Sequence, residues 1–289
     1  RDLHLSIRRQ RQMCIRDRLS TTYKVLKTMK RFFISIIIMT SVLVLGQGKN
    51  TSPYSTSRNL DLTIAGLSGG LLLGSALIDY SPMSLEDISI LSADNIPGYD
   101  SKAINNWSLK SIKMSDILLY SSIAAPGLLL MNQRIRDNYH TFSILWAESL
   151  FLTLGITNLT KVLVQRPRPY LYEKKASAEF KQKNDNRKSF FSGHTSISAV
   201  SCFLIATMHD DYNPSSKLSP YLWSGALFVP ALTAYYRYDA GKHFPSDVAA
   251  GYLVGSAIGV LIPKLHKKSS EVNLGLTLQS DGKLRPHLS

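Results

Sequence analysis

The sequence predicts an all-α fold: a bundle of about six helices, embedded in a membrane, with three charged motifs gathered at one end. Three observations carry that expectation. Six apolar segments of helical length recur between residues 60 and 265. They are apolar on all sides, as either a lipid-facing or a deeply buried helix requires. The motifs alternate with them in the order helix, motif, loop, motif, helix, helix, motif, helix, which returns every motif to the same end of the bundle.

Residues 60–80 are apolar, glycine-rich and long enough to span a bilayer. Residues 81–113 read as a polar loop or set of short helices, broken by Pro82, Pro97 and Gly98. That stretch is too long for a plain connection and is expected to pack over the motif end. A second helix, 114–131, is interrupted at Pro126-Gly127, and 132–138 is a short basic turn. The third helix, 139–164, carries one acid, Glu148, among apolar residues, which reads as a paired interhelical residue rather than a catalytic one. Residues 170–188 are rich in Lys, Glu and Asn without a period, an exposed loop whose charges can steer an anion. Helices follow at 194–208, 220–236 and 245–265. The last opens on Pro245, whose fixed φ and missing N–H suit a first turn. His209-Asp210-Asp211 reads as a polar turn. After Pro263 the chain becomes basic and polar, with brief strand-like alternation at 272–278.

A net charge of +14 resembles a nucleic-acid signal, but the distribution argues against one. Residues 1–31 hold ten Lys or Arg against two Asp, so eight of the fourteen charges precede the first apolar run. Residues 1–28 read as a non-native leader; 1–18 resembles translated adapter sequence. Met29, then Lys30-Arg31 and the apolar run 32–45 ending in Gly46 and Gly48, has the form of a secretory signal peptide with cleavage before Gln47, or of an uncleaved anchor. Residues 47–58 read as a linker. Cys14 lies in the leader and Cys202 in an apolar helix, so cysteine usage does not decide the redox compartment.

The motifs are specific in combination. Lys161 stands seven positions before Arg168-Pro169, with Arg166 between them. Ser192-Gly193-His194 opens a helix, and Arg237, His243 and Asp247 follow at spacings of six and four. His243 would sit just outside a helix N-terminus, where free N–H groups and the dipole favour phosphate. In this order the chain, from about residue 116 to 264, resembles the type 2 phosphatidic acid phosphatase (PAP2) and vanadium haloperoxidase superfamily. It departs from that family's pattern at Phe191, where a proline is usual, and at Tyr236, where a serine is usual; both bear on the pocket rim rather than the chemistry.

The resemblance implies a PAP2-like helical domain over residues 59–265, a polar tail over 266–289, and a metal-independent phosphatase with no cofactor. It implies that Lys161, Arg168 and Arg237 bind the phosphoryl oxygens, joined by Ser192 and the Gly193 amide. His243 would attack phosphorus to form a phosphohistidine, with Asp247 fixing its tautomer, and His194 would act as general acid and then base. Phosphate monoester cleavage needs those parts: cations on the non-bridging oxygens, an in-line nucleophile and an acid for the leaving oxygen. Metal ligation by His194, His243 and Asp247 has the right residue types, but three adjacent cations would repel a divalent ion.

Two rivals share the motifs or the helices: a vanadium-dependent haloperoxidase, with His243 as ligand, and a non-enzymatic membrane scaffold. The expected substrate is a phosphorylated lipid, an isoprenoid pyrophosphate or a small phosphoester, with a membrane as partner and no nucleic acid. Basic residues at 134, 136, 264, 267 and 268 put that end of the bundle in the cytoplasm by the positive-inside rule. The expected location is therefore a bacterial inner membrane with the site facing the periplasm. A simple signal at 32–45 conflicts with the parity of that arrangement, and the mean hydropathy of −0.03 is low for a polytopic protein. A soluble periplasmic acid phosphatase is the alternative.

Overall fold

The computed structural model describes residues 52–268 and the backbone of residues 274–278 and 284–288. The expected leader and the signal peptide or anchor lie outside the described residues. The helices are α1 (Arg58–Leu77), α2 (Leu85–Ser89), α3 (Leu109–Ala124), α4 (Gln133–Arg136), α5 (Tyr139–Val164), α6 (Ala178–Lys181), α7 (Gly193–Tyr212), α8 (Ser219–Asp239) and α9 (Pro245–His266). Six of them are long, as the apolar segments predicted. Strands β1 (Leu274–Leu278) and β2 (Leu284–Leu288) pair antiparallel, Leu274 opposite Leu288, in the tail where the alternation began.

The boundaries follow local chemistry. Ser108 caps α3 by accepting from Ser111 N–H, so that helix begins five residues earlier than expected. Pro126 then turns its end into a 3₁₀ segment, Ala125–Met131. Ser192 caps α7 at its opening turn, and the helix continues through His209-Asp210-Asp211, where a turn was expected. Asp211 there accepts from Tyr54 Oη at 2.7 Å and pairs with Lys267, which ties the segment before α1 to the end of α9.

Successive long helices alternate in direction. Ser55 N–H bonds to the His266 carbonyl at 2.8 Å, so α1 starts where α9 ends. Asn132 and Arg134, after α3, reach Asn213 and Tyr212 at the end of α7. The opposite end therefore collects the end of α5, the starts of α3, α7 and α9, and the end of α8. Segments 81–107 and 165–192 cover that end, where Asp100 bonds Arg166 and Ser246.

Helix α7 is the centre. Gly251, Gly255 and Gly259 of α9 lie one per turn against it, and a Cβ on them would stand 2.6, 2.1 and 2.6 Å from the carbonyl oxygens of Ser192, Ser196 and Val200. Side chains larger than hydrogen cannot occupy that seam. Val200, Leu204 and Met208 of α7, Phe142 and Leu145 of α5, and Ile258 and Ile262 of α9 form the main core.

Four helical stretches are long and apolar enough to cross a membrane: Arg58–Leu77, Leu109–Met131, Tyr139–Leu171 and Pro245–His266. Their outer faces leave Leu73, Leu77, Leu128, Leu253 and Leu265 largely exposed. Apolar surface on that scale suits lipid rather than water. Helices α7 and α8 do not meet the same measure among the described residues, which reduces the six expected spans to four by length and composition.

Candidate active site

The turn between α8 and α9 sets the geometry. Gly241 has φ of +65°, and a Cβ there would meet the Asn106 carbonyl at 2.1 Å, so only glycine fits. The turn folds Lys242 and His243 N–H back onto the Arg237 carbonyl, at 3.1 and 3.3 Å. Arg237 and His243, six apart in sequence, are thereby held together.

His243 is 1 % exposed. Its Nδ1 lies 2.7 Å from the Ser189 carbonyl oxygen, which has no proton to give, so Nδ1 carries the hydrogen and donates. In the neutral ring Nε2 is then the bare nitrogen. It faces Arg168 Nη1 at 3.3 Å. Burial, then the charges of Arg168, Lys161 and Arg237, hold His243 well below the usual histidine range. Its Nε2 lone pair is therefore available at ordinary pH.

Asp247 corrects one expectation. Its carboxylate comes no nearer than 3.7 Å to His243 Nδ1. Its oxygens accept instead from Arg166 Nη1 at 2.6 Å, from Phe244 N–H at 2.9 Å and from the Ser189 hydroxyl. Ser192 N–H also bonds to the Asp247 carbonyl at 3.0 Å. Asp247 therefore acts on His243 through Ser189, whose carbonyl it holds in place.

Arg168 and Arg237 are 5 % and 4 % exposed. Arg168 is fixed by the carbonyls of Asp185 and Lys242 and by the Asp185 carboxylate at 2.9 Å. Arg237 donates through Nη1 to Ser115 Oγ at 3.3 Å, while its buried Nε has no hydrogen-bond partner. Lys161 donates to the Lys188 carbonyl at 2.8 Å. Ser192 Oγ accepts from Thr195 as helix cap. A Cβ at Gly193 would meet Thr157 Cγ2 at 3.4 Å and Lys161 Cε at 3.9 Å, so neighbouring side chains do not themselves demand glycine.

His194 lies at the opening of α7, outside the four apolar stretches, with its side chain 26 % exposed. Its Nε2 is 2.8 Å from Asp116 Oδ1 of α3, which leaves Nδ1 for another partner. Burial, then Arg237, Arg168 and Lys161, lower His194 to about 2. The expected site residues are thus drawn to one end from α5, α7, α8 and α9, and the cations among them outnumber the acids left unpaired.

Sequence reasoning gave no role to four residues at this end. Asp116 pairs with His194; a lone carboxylate in an apolar helix was the available signal. Asp100 and Arg166 form a 2.7 Å ion pair beneath Phe244, over whose ring the guanidinium lies at 4.0 Å. Arg166 is thereby spent on two carboxylates, Asp100 and Asp247. Lys242, 6 % exposed, sits over the rings of Phe180 and Tyr170 at 4.2 and 4.6 Å, and burial, then Arg168, lower it to about 7. Beside the Arg168 loop, Leu171 and Tyr172 help line a cavity of about 490 Å³ with Leu85, Ile88, Leu91, Ile104 and Lys181.

In comparisons with known proteins, the family model for the PAP2 superfamily matches residues 143–271. No curated protein and no solved structure gives a significant match.

Proposed function

The chain belongs to the PAP2 superfamily through residues 143–271, which generally comprises phosphatases, and from this we infer that it hydrolyses phosphate monoesters without a metal, through a phosphohistidine. The carrying observation is Arg237: a buried guanidinium whose Nε has no partner, facing the same site as Arg168 and the bare nitrogen of His243. Buried cations with unspent donors call for an anion.

The substrate's non-bridging oxygens take Arg168, Arg237 and Lys161, with the Ser192 hydroxyl and Gly193 N–H completing the cradle. His243 Nε2 attacks phosphorus; the P–N bond forms as the bond to the leaving oxygen breaks, and His194, having taken the proton of the monoanionic substrate, delivers it to that oxygen. Water then attacks phosphorus, His194 takes its proton, and the P–N bond breaks to release phosphate. Fixed cations that meet charge as it spreads over the transferring group supply the main stabilisation.

The substrate class we favour is a lipid phosphate or an isoprenoid pyrophosphate. Four membrane-length apolar helical stretches support it, as do the leucine and isoleucine side chains of the cavity after Arg168. Arg134, Arg136 and Lys267 lie at the opposite end, which favours a periplasmic site in a bacterial inner membrane. The test is hydrolysis of p-nitrophenyl phosphate by detergent-solubilised protein in EDTA, with vanadate as competitive inhibitor because it adopts the five-coordinate shape of the transition state. Activity lost to EDTA and restored by a divalent ion overturns the assignment.

A further inference from the structure

At the far end of the bundle, one imidazole meets two carboxylates. His266, in the last turn of α9, is 1 % exposed. Its Nε2 lies 3.0 Å from Asp61 Oδ1 in the first turn of α1 and 3.3 Å from Glu148 Oε2 in the middle of α5. The three ligand atoms fall within 4.8 Å of one another. On α9 the nineteen residues from Asp247 to His266 span about 28 Å, so this cluster is far from the phosphate site.

We propose that Asp61, Glu148 and His266 form a divalent-cation site of zinc type, separate from the catalytic centre. Proton counting argues for it. His266 Nδ1 is 2.9 Å from the Ile262 carbonyl and must donate to it. Nε2 therefore has at most one hydrogen, and Asp61 is placed to receive it. Glu148 is 7 % exposed, its Oε2 points into the cluster, and that oxygen has no hydrogen-bond partner. A proton directed at Asp61 leaves Glu148 Oε2 without a donor, whereas one cation accepts an electron pair from all three groups.

The dimensions agree. Bonds of roughly 2.0–2.1 Å in tetrahedral geometry place ligand atoms about 3.3 Å apart, close to the separations observed from Nε2. The Nδ1–H bond to a backbone carbonyl is the outer contact that orients a metal-binding histidine. One nitrogen and two carboxylate oxygens suit zinc better than magnesium or calcium. Asp61, with its side chain 23 % exposed, provides the entry side and room for water as a fourth ligand.

The experiment uses untagged full-length protein in detergent, stripped with chelator, dialysed against zinc chloride and read by metal content and thermal melting. The expected result is one zinc per chain and a higher Tm with zinc. Glu148→Gln and His266→Gln should each bind zinc at least about tenfold more weakly and lose the Tm increment, while retaining phosphatase activity, which also reports that they fold. Asp61→Asn, at the exposed rim, gives the same reading should a buried variant not fold. A stripped wild-type chain that takes up no stoichiometric zinc, or variants that bind it as well as wild type, overturns the proposal in favour of a protonated His266 shared by the carboxylates. Chelation that lowers Tm yet spares turnover at assay temperature separates this site from the metal-independent chemistry.

Discussion

Replacing Gly255 by alanine tests whether the α7–α9 seam sets the catalytic geometry. The added Cβ would lie 2.1 Å from the Ser196 carbonyl and 2.9 Å from Ala199 Cβ, against a practical minimum of 3.0 Å, so the helices must part by about 1 Å. A backbone carbonyl cannot rotate away as a side chain can. Ser192 and His194 open α7 just above that level, while Asp247 and the His243 turn open α9, so the parting separates His194, the proposed acid, from His243, the proposed nucleophile. Misplacement of about 1 Å costs on the order of 10²-fold in rate, and overpacking costs roughly 1–3 kcal/mol in stability. The assay is kcat/KM for p-nitrophenyl phosphate below the Tm of the variant, with helicity checked at the same temperature. Gly225→Ala is the control: nothing lies within 4 Å of its Cβ, and alanine is the better helix former by about 1 kcal/mol. A folded Gly255→Ala enzyme within about threefold of wild type would refute the claim that the seam holds the site together.

The two histidines should separate by leaving group. General acid help is worth about 10²- to 10⁴-fold and is least needed by a stable leaving anion, so His194→Ala should lose far more on an alkyl or lipid phosphate than on p-nitrophenyl phosphate. His243→Ala should fail on both and form no acid-labile phosphoryl label; equal losses for His194→Ala, or a label without His243, would reverse the roles. Asp116→Asn should show the His194 pattern in milder form, about tenfold on an alkyl phosphate, since it removes the carboxylate that stabilises the imidazolium; a loss independent of leaving group would make Asp116 merely structural. The third expectation concerns pH. His194, lowered to about 2 in the free enzyme, is neutral under assay conditions, so the proton must enter with the monoanionic substrate. kcat/KM should then fall about tenfold per pH unit above the second phosphate pKa of about 6 and stay level just below it, because burial and the neighbouring cations hold His243 well below the usual histidine range. A flat profile up to pH 8 would contradict this.

Helices with strong local signals were legible in the sequence. Tyr139–Val164 and the start at Pro245 came from apolar length and proline chemistry, and both stand as expected. The gathering of the motifs at one end followed from the alternation of helices. What the sequence hid were contacts between residues distant along the chain. Glu148 was read as a paired interhelical residue, but His266, its partner, lies 118 positions away. Asp116 and His194 are 78 apart, and no periodicity in α3 marks which of its faces meets α7. The seam did leave a trace, Gly251, Gly255 and Gly259 at intervals of four, which the small-residue rule for closely packed helices could have identified.

Asp247 is the instructive case, because its spacing from His243 was informative and its mechanism was not. Four residues along a helix start suggested direct contact, yet residue 247 is the third position of α9, where a carboxylate is drawn to the free N–H of the cap. That bond, to Phe244 N–H at 2.9 Å, engages one oxygen, which stays 3.7 Å from His243 Nδ1, and Arg166 takes the other. The atom that orients His243 is then a backbone carbonyl, Ser189 O, which every residue type possesses and no sequence motif can mark. Asp247 fixes that carbonyl by accepting from the hydroxyl of the same serine. The orienting group is therefore spread over Asp247, Ser189 and Arg166, and Arg166 in turn is held by Asp100 from the covering segment. Arg166, a cation between two prospective phosphate ligands, and Asp100, an acid in a polar loop, thus belong to the support of His243.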